Sequence, residues 1–166
     1  MRSAAYVLAS LVMPYALAWS AQAPKNFDSI SLERTACYGA CPAYKVEIKS
    51  TGEVLFNGKS DVAAKGERKG KVTSSDIEFL RAALERATFY ELRDSYANEA
   101  DGCKEVWTDN PSLAISVASG SSAKSVTYYF GCRGPLILST ISWLADTIDV
   151  VAGTSRWVGA KLLKDN

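Results

Sequence analysis

The feature that most narrows the fold is an alternation of apolar and polar residues that twice turns back on itself. Tyr44, Val46 and Ile48 share one face of a run whose other face carries Lys45, Glu47 and Lys49, and after Ser50-Thr51-Gly52 the alternation resumes with Val54 and Phe56. Successive strand side chains point to opposite sides, so such a run buries one face and wets the other. A short Gly-bearing turn obliges its two arms to pair antiparallel. The same pattern returns at Leu113, Ile115 and Val117, turns at Gly120-Ser121-Ser122, and continues with Val126, Tyr128 and Phe130 against Ser125, Thr127 and Tyr129. An earlier run, Ser29 to Thr35, sets Ile30 and Leu32 on one face with Arg34 on their parity.

Strands with one apolar face need a cover, and two amphipathic segments supply it. After Thr73, a candidate N-cap, Ile77, Leu80, Leu84 and Ala87 recur at helical spacing while Glu78, Arg81, Glu85 and Arg86 face water. A second helix starts at Pro135, carries Leu138, Ile141, Ala145, Ile148 and Val151 or Ala152 on its stripe, and stops at Gly153. The order strand-strand-strand-helix-strand-strand-helix predicts an α+β, two-layer fold: an antiparallel sheet of about five strands with two helices on one face. A small barrel partly closed around one helix is the alternative. Lys59 to Lys71 reads as a basic loop, or a loop carrying a short strand. Arg93 to Pro111 reads as a polar connection tied down by Cys103.

Met1 to Ala23 has the parts of a signal peptide: Arg2 in the n-region, an apolar stretch from Ala4 to Leu17 interrupted by Pro14, and the A-x-A signal Ala21-Gln22-Ala23. The expected organisation is therefore 1–23 signal peptide and 24–166 a single disulfide-stabilised α+β domain, periplasmic or secreted, with no transmembrane segment in the mature chain. The four cysteines, Cys37, Cys41, Cys103 and Cys132, all follow the cleavage point. An even count in an exported chain is read as disulfides. Three pairings are possible; Cys103 with Cys132 and Cys37 with Cys41 is favoured, because Cys103 precedes one strand of the second hairpin and Cys132 follows the other.

The chain holds 166 residues, 19 basic against 18 acidic side chains and no histidine. Near-neutral charge gives no reason to expect nucleic acid as a partner. Without histidine there is no Ser-His or Cys-His dyad, His-containing zinc site or His-ligated haem. No catalytic residue, cofactor or metal is predicted. The Cys37 to Cys41 segment is read first as a structural bridge; its C-x3-C spacing between strands departs from the C-x-x-C of redox proteins, and a four-cysteine zinc site would need a closely spaced second pair.

Arg34, on the apolar side of its strand, has two readings. It is a buried anion-binding arginine with Tyr44 and Lys124 as further donors, or a strand-end arginine paired with a carboxylate such as Asp109. The second is favoured, since buried charges are normally paired. Trp157, with Trp107, Trp143, Tyr128 and Tyr129, lines a carbohydrate or peptide groove or fills the core. Arg34, Tyr44, Asp109, Lys124 and Trp157 are thus the candidate binding residues. The Lys59 to Lys71 cluster either meets an anionic envelope polymer or faces solvent. The acidic stretch from Glu91 to Asp109 lacks the D-x-D-x-D-G spacing of a calcium loop.

The stretch Arg34-Thr35-Ala36-Cys37-Tyr38-Gly39-Ala40-Cys41-Pro42-Ala43-Tyr44 and the Gly52 hairpin resemble the opening of a family of uncharacterised bacterial domains, domain of unknown function 6438. Phe89-Tyr90-Glu91-Leu92, Thr108-Asp109-Asn110-Pro111, Lys124-Ser125-Val126 and Ala152 to Val158 extend the similarity. The resemblance implies a small, often exported domain and carries over no activity or site residue. The leading functional expectation is a non-catalytic envelope or secreted module that binds an unknown protein or envelope component. The alternative is a thiol-disulfide redox protein acting through Cys37 and Cys41.

Overall fold

Strand parity decides what the molecule buries. In the computed structural model, which describes residues 26–159, the strands are β1 (Ser29–Arg34), β2 (Ala43–Lys49), β3 (Glu53–Ser60), β4 (Gly66–Lys71), β5 (Ser95–Tyr96), β6 (Glu105–Val106), β7 (Ser112–Ser119), β8 (Ser122–Tyr129) and β9 (Cys132–Arg133). The helices are α1 (Ser74–Arg86), α2 (Ile137–Ala152) and the short α3 (Ser155–Val158). The expected signal peptide, Met1 to Ala23, lies outside the described residues. Ile30 and Leu32, Tyr44, Val46 and Ile48, Val54 and Phe56, and Leu113, Ile115 and Val117 are buried, each set from one strand. Ile77, Leu80 and Leu84 of α1 and Leu138, Ile141, Leu144 and Ile148 of α2 join them in one hydrophobic core. The opposite parity remains open: Ser31, Glu47, Leu55 and Ser116 are only partly covered.

The fold is α+β with a mostly antiparallel sheet, but that sheet has seven strands rather than about five, in the order β4-β3-β2-β1-β7-β8-β5, and β6 pairs separately with β9. It is open, with β4 and β5 at its edges. β1 lies between the two hairpins and pairs with both β2 and β7, a long-range juxtaposition that no local pattern announces. β4 comes from the basic stretch expected to be mainly loop. Its residues Gly66-Glu67-Arg68-Lys69-Gly70-Lys71 show no apolar alternation, yet they pair with β3 from Glu53↔Lys71 to Gly58↔Gly66. An exposed edge strand needs no apolar face. β5 pairs parallel to β8 over two residues only.

Local chemistry fixes the helix ends. The Asp76 amide donates to the Thr73 hydroxyl at 3.2 Å and the Thr73 amide donates to the Asp76 carboxylate at 2.8 Å, a reciprocal capping box. α2 begins at Ile137, two residues beyond Pro135, and stops at Gly153, whose φ of 63° suits glycine. α3 then tucks under the sheet edge. Trp157 stacks on Phe56 with centroids 5.0 Å apart, and the Ala63 and Ala64 amides donate to the Val158 and Trp157 carbonyls. Gly70 permits this approach, since a Cβ there would overlap Arg156 and crowd Trp157. No helix among the described residues is long and apolar enough to cross a membrane.

Candidate functional site

The Arg34 to Tyr44 stretch is the connection between β1 and β2, closed by the Cys37–Cys41 bridge. Its two ends face each other across the ladder, Arg34 opposite Tyr44, and both reach inward to α2. The Arg34 Nε donates to Asp149 Oδ2 at 2.9 Å, and Nη2 donates to Asp146 Oδ1 at 2.9 Å. Tyr44 donates its hydroxyl to the Asp149 carboxylate at 2.8 Å, and Thr154 donates to Asp149 Oδ1 at 2.8 Å. Three residues apart on α2, the two acids rise on the same side of the helix. Burial pushes the Asp149 carboxyl above the ordinary carboxylate range, against the pull of Arg34, Tyr44 and Thr154. Burial also raises Tyr44, and the neighbouring Asp149 adds to that effect. For Arg34 burial works downward, but Asp149, Tyr44 and Asp146 together hold the guanidinium above its usual value.

This network is closed. The recess beside Arg34, lined by Thr35, Cys41, Pro42, Pro111, Ser112 and Phe130, has a volume of about 10 Å³, room for one water at most. Arg34 therefore has one counter-ion inside the fold, Asp149, and a second at the surface, Asp146, whose side chain is 72% exposed, and the recess leaves no space for an external anion.

The candidate residues separate accordingly. Arg34 and Tyr44 meet, and Trp157 joins them indirectly through Phe56, which packs 5.3 Å from the Tyr44 ring. Asp109 is not the partner of Arg34; it sits in a left-handed turn with φ of 67°, where its carboxylate accepts from the Thr108 hydroxyl and its carbonyl from the Tyr38 amide. The physical reason is that α2 packs on the inner face and delivers Asp146 and Asp149 to Arg34, while Asp109 is engaged in its own turn. Lys124 does not join Arg34 either. Its ammonium donates to the Leu92 carbonyl at 2.6 Å and pairs with Asp94 on the far edge of the sheet. Sequence reasoning missed Asp149, Asp146 and Thr154. The available signal was Asp149 itself, an acid four residues after Ala145 and three before Ala152, on the stripe that the helix buries.

A second constellation gathers around the other bridge. Cys103–Cys132 joins the segments that form the β6–β9 pair, and Trp107 follows directly, with its amide donating to the Gly131 carbonyl at 2.9 Å. The Tyr129 hydroxyl donates to the Trp107 carbonyl at 2.8 Å, and Asn110 Nδ2 donates to the Thr108 carbonyl at 2.8 Å. Gly131 is required by this closeness, since a Cβ there would overlap the Trp107 carbonyl and the Tyr129 ring. Held so, the Trp107 residue is still 55% exposed. The Arg133 guanidinium lies 4.5 Å from its ring centroid, and the indole N–H donates to Glu105 at 3.1 Å. Exposed Tyr38, on the Cys37–Cys41 loop, connects to this end through the hydrogen bond that its amide donates to the Asp109 carbonyl. Among the described residues no cluster of three or more His, Cys, Asp or Glu is placed to hold a metal ion.

Fold and site together define a disulfide-braced α+β domain whose buried polar chemistry is closed and whose accessible chemistry is aromatic and cationic. The chain belongs to the family described as a domain of unknown function (DUF6438), whose model matches residues 28–149. That span includes the Arg34 to Tyr44 stretch, both bridges and Asp149; the similarity read in Ala152 to Val158 lies beyond it. Comparison with curated proteins finds no match.

Proposed function

We propose that this chain is an exported, non-catalytic binding module, and that its contact surface is the bridged end presenting Trp107, Arg133 and Tyr38 to a macromolecule of the cell envelope or exterior. The observation that carries the reading is Trp107, whose ring is half exposed while its backbone is clamped by Tyr129, Gly131 and the Cys103–Cys132 bridge. Trp, Arg and Tyr dominate binding hot spots, and a preordered side chain loses little freedom on contact. Export is supported by the Arg2, apolar-stretch and A-x-A pattern, and by two bridges suited to an oxidising compartment.

Crosslinking of the tagged full-length chain in living cells tests the contact. Trp107→Ala and Arg133→Ala are expected to lose a crosslinked species that the exposed α1 variant Glu85→Ala retains; undiminished crosslinking by Trp107→Ala overturns the reading. Recovery from the envelope fraction of a chain beginning at Pro24 tests export.

One observation favours a second reading, thiol-disulfide exchange at Cys37 and Cys41: both are partly exposed, whereas Cys103 and Cys132 are 5% and 0% exposed. A Cys37–Cys41 bridge that glutathione buffers fail to open removes that reading.

A further inference from the structure

We infer that β4 is a docking edge for an extended acidic peptide segment, which adds to the sheet as a further strand beside Glu67, Lys69 and Lys71. The backbone geometry comes first. The Val72 amide donates to the Gly52 carbonyl at 2.9 Å, and bonded pairs recur every second residue along an antiparallel ladder. Gly70, Arg68 and Gly66 therefore direct their amides and carbonyls toward β3. Those of Glu67, Lys69 and Lys71 point away from the sheet. β4 runs in unbroken register with β3 and contains no proline, so this row of donors and acceptors is continuous; the Glu67 carbonyl accepts from the Arg68 guanidinium at 2.7 Å, a contact an added strand displaces. Five of the six β4 residues are exposed and the sixth is partly so.

Charge then selects the occupant. Lys65, Arg68, Lys69 and Lys71 cluster here against Glu67, and none of the four forms an ion pair among the described residues. The acid opposite Lys71 in register, Glu53, is already held by Lys49 at 2.7 Å. Two copies of this edge would repel each other, so a second copy of the chain is a poor occupant, whereas opposite charges on directly facing strand residues attract. Side chains of an added strand that lie opposite Lys69 and Lys71 would emerge on the open face of the sheet. That face also carries a groove of about 340 Å³ whose lining mixes Lys45 and Lys69 with Glu47 and Glu67 around Leu55, so the selection of acidic side chains rests on Lys69 and Lys71 at the edge itself. Lysines on edge strands also serve to repel unwanted pairing; they do so against neutral and basic strands and invite acidic ones, which is the discrimination proposed.

The test is fluorescence anisotropy of the full-length chain with a short capped peptide alternating Glu and Val, beside the same peptide N-methylated at alternate residues. Binding of the first and loss with the second is expected, because methylation removes strand donors and leaves charge unchanged. Lys69→Glu with Lys71→Glu is expected to weaken binding about tenfold or more, and the sites are exposed enough to leave folding intact. Equal binding of the methylated peptide, or competition by dextran sulfate that leaves methylation without effect, would mean a simple cation patch and overturn the proposal. So would absence of binding by the unmethylated peptide. None of these outcomes touches Trp107, so the bridged-end reading stands or falls separately.

Discussion

Arg34 and Arg133 put the same side chain to opposite uses. Arg34 is 9% exposed, sits opposite Tyr44 and divides its donors between Asp149 and Asp146. Arg133 makes no ion pair among the described residues and lies over the half-exposed Trp107 ring. The difference shows where to look for function: a guanidinium whose counter-ions come from the fold itself specifies the fold, and one held in the open over an aromatic ring remains available to a partner.

The largest effect should come from opening the closed cluster. Arg34→Ala or Asp149→Ala leaves an uncompensated buried group and should lower unfolding free energy by about 3–5 kcal/mol in urea titrations, while Arg34→Met with Asp149→Leu should lose less than the sum of the single changes. An Arg133→Ala loss of that size would break the contrast. Next come the bridges. Replacing Cys103 and Cys132 together by Ala should cost about 3–4 kcal/mol, because the bridge closes a long loop. Replacing Cys37 and Cys41 should cost about 2 kcal/mol or less, as measured by the same titrations.

Acid should sharpen the comparison through sign. Asp101 accepts from the Ser95 hydroxyl and the Ala97 amide, which hold its carboxyl below the ordinary 3.8. A group lowered in the folded state contributes stability above 3.8 and loses it as pH falls through the lowered value. Asp149, raised by burial, acts the other way and favours the folded state more as pH falls through its range. Hydrogen exchange should therefore show the Ala97 amide losing protection below about pH 4, and Asp101→Asn should remove that pH dependence. Amides of α2 beside Asp149 losing protection at the same pH would contradict the assigned signs. The smallest stability effect belongs to Arg133→Ala, about 1 kcal/mol or less, alongside loss of the crosslinked partner.

Much of this architecture was legible because local rules and the fold agree. The two hairpins, the Thr73 cap with Asp76 and the Gly153 stop all follow from periodicity and terminal chemistry, and their residues behave in the structure as those rules require. β4 was not legible as a full strand, since an edge exposed on both sides carries no apolar alternation. Nor was the insertion of β1 between β2 and β7, which is a matter of topology. Half of the closed cluster could be read: Arg34 stood out on an apolar parity. Its partners stood out less, because an acid in a helix is ordinarily a solvent-facing residue: Asp149 shows only by its place on the apolar stripe, and Asp146, which lies at the surface, gives no such sign.

The two edges of the sheet are unequal, and this bears on stoichiometry. β4 exposes five of its six residues. At the other side the chain from Leu92 to Tyr96 lies along β8, where Asp94 accepts from the Thr127 amide, Leu92 accepts from Lys124, and β5 pairs at Ser95 and Tyr96. Head-to-tail growth requires two compatible edges on every copy. With one edge capped and the other repelling its own kind, a guest strand on β4 would end growth at one, so one-to-one complexes rather than filaments are the expected outcome of such docking.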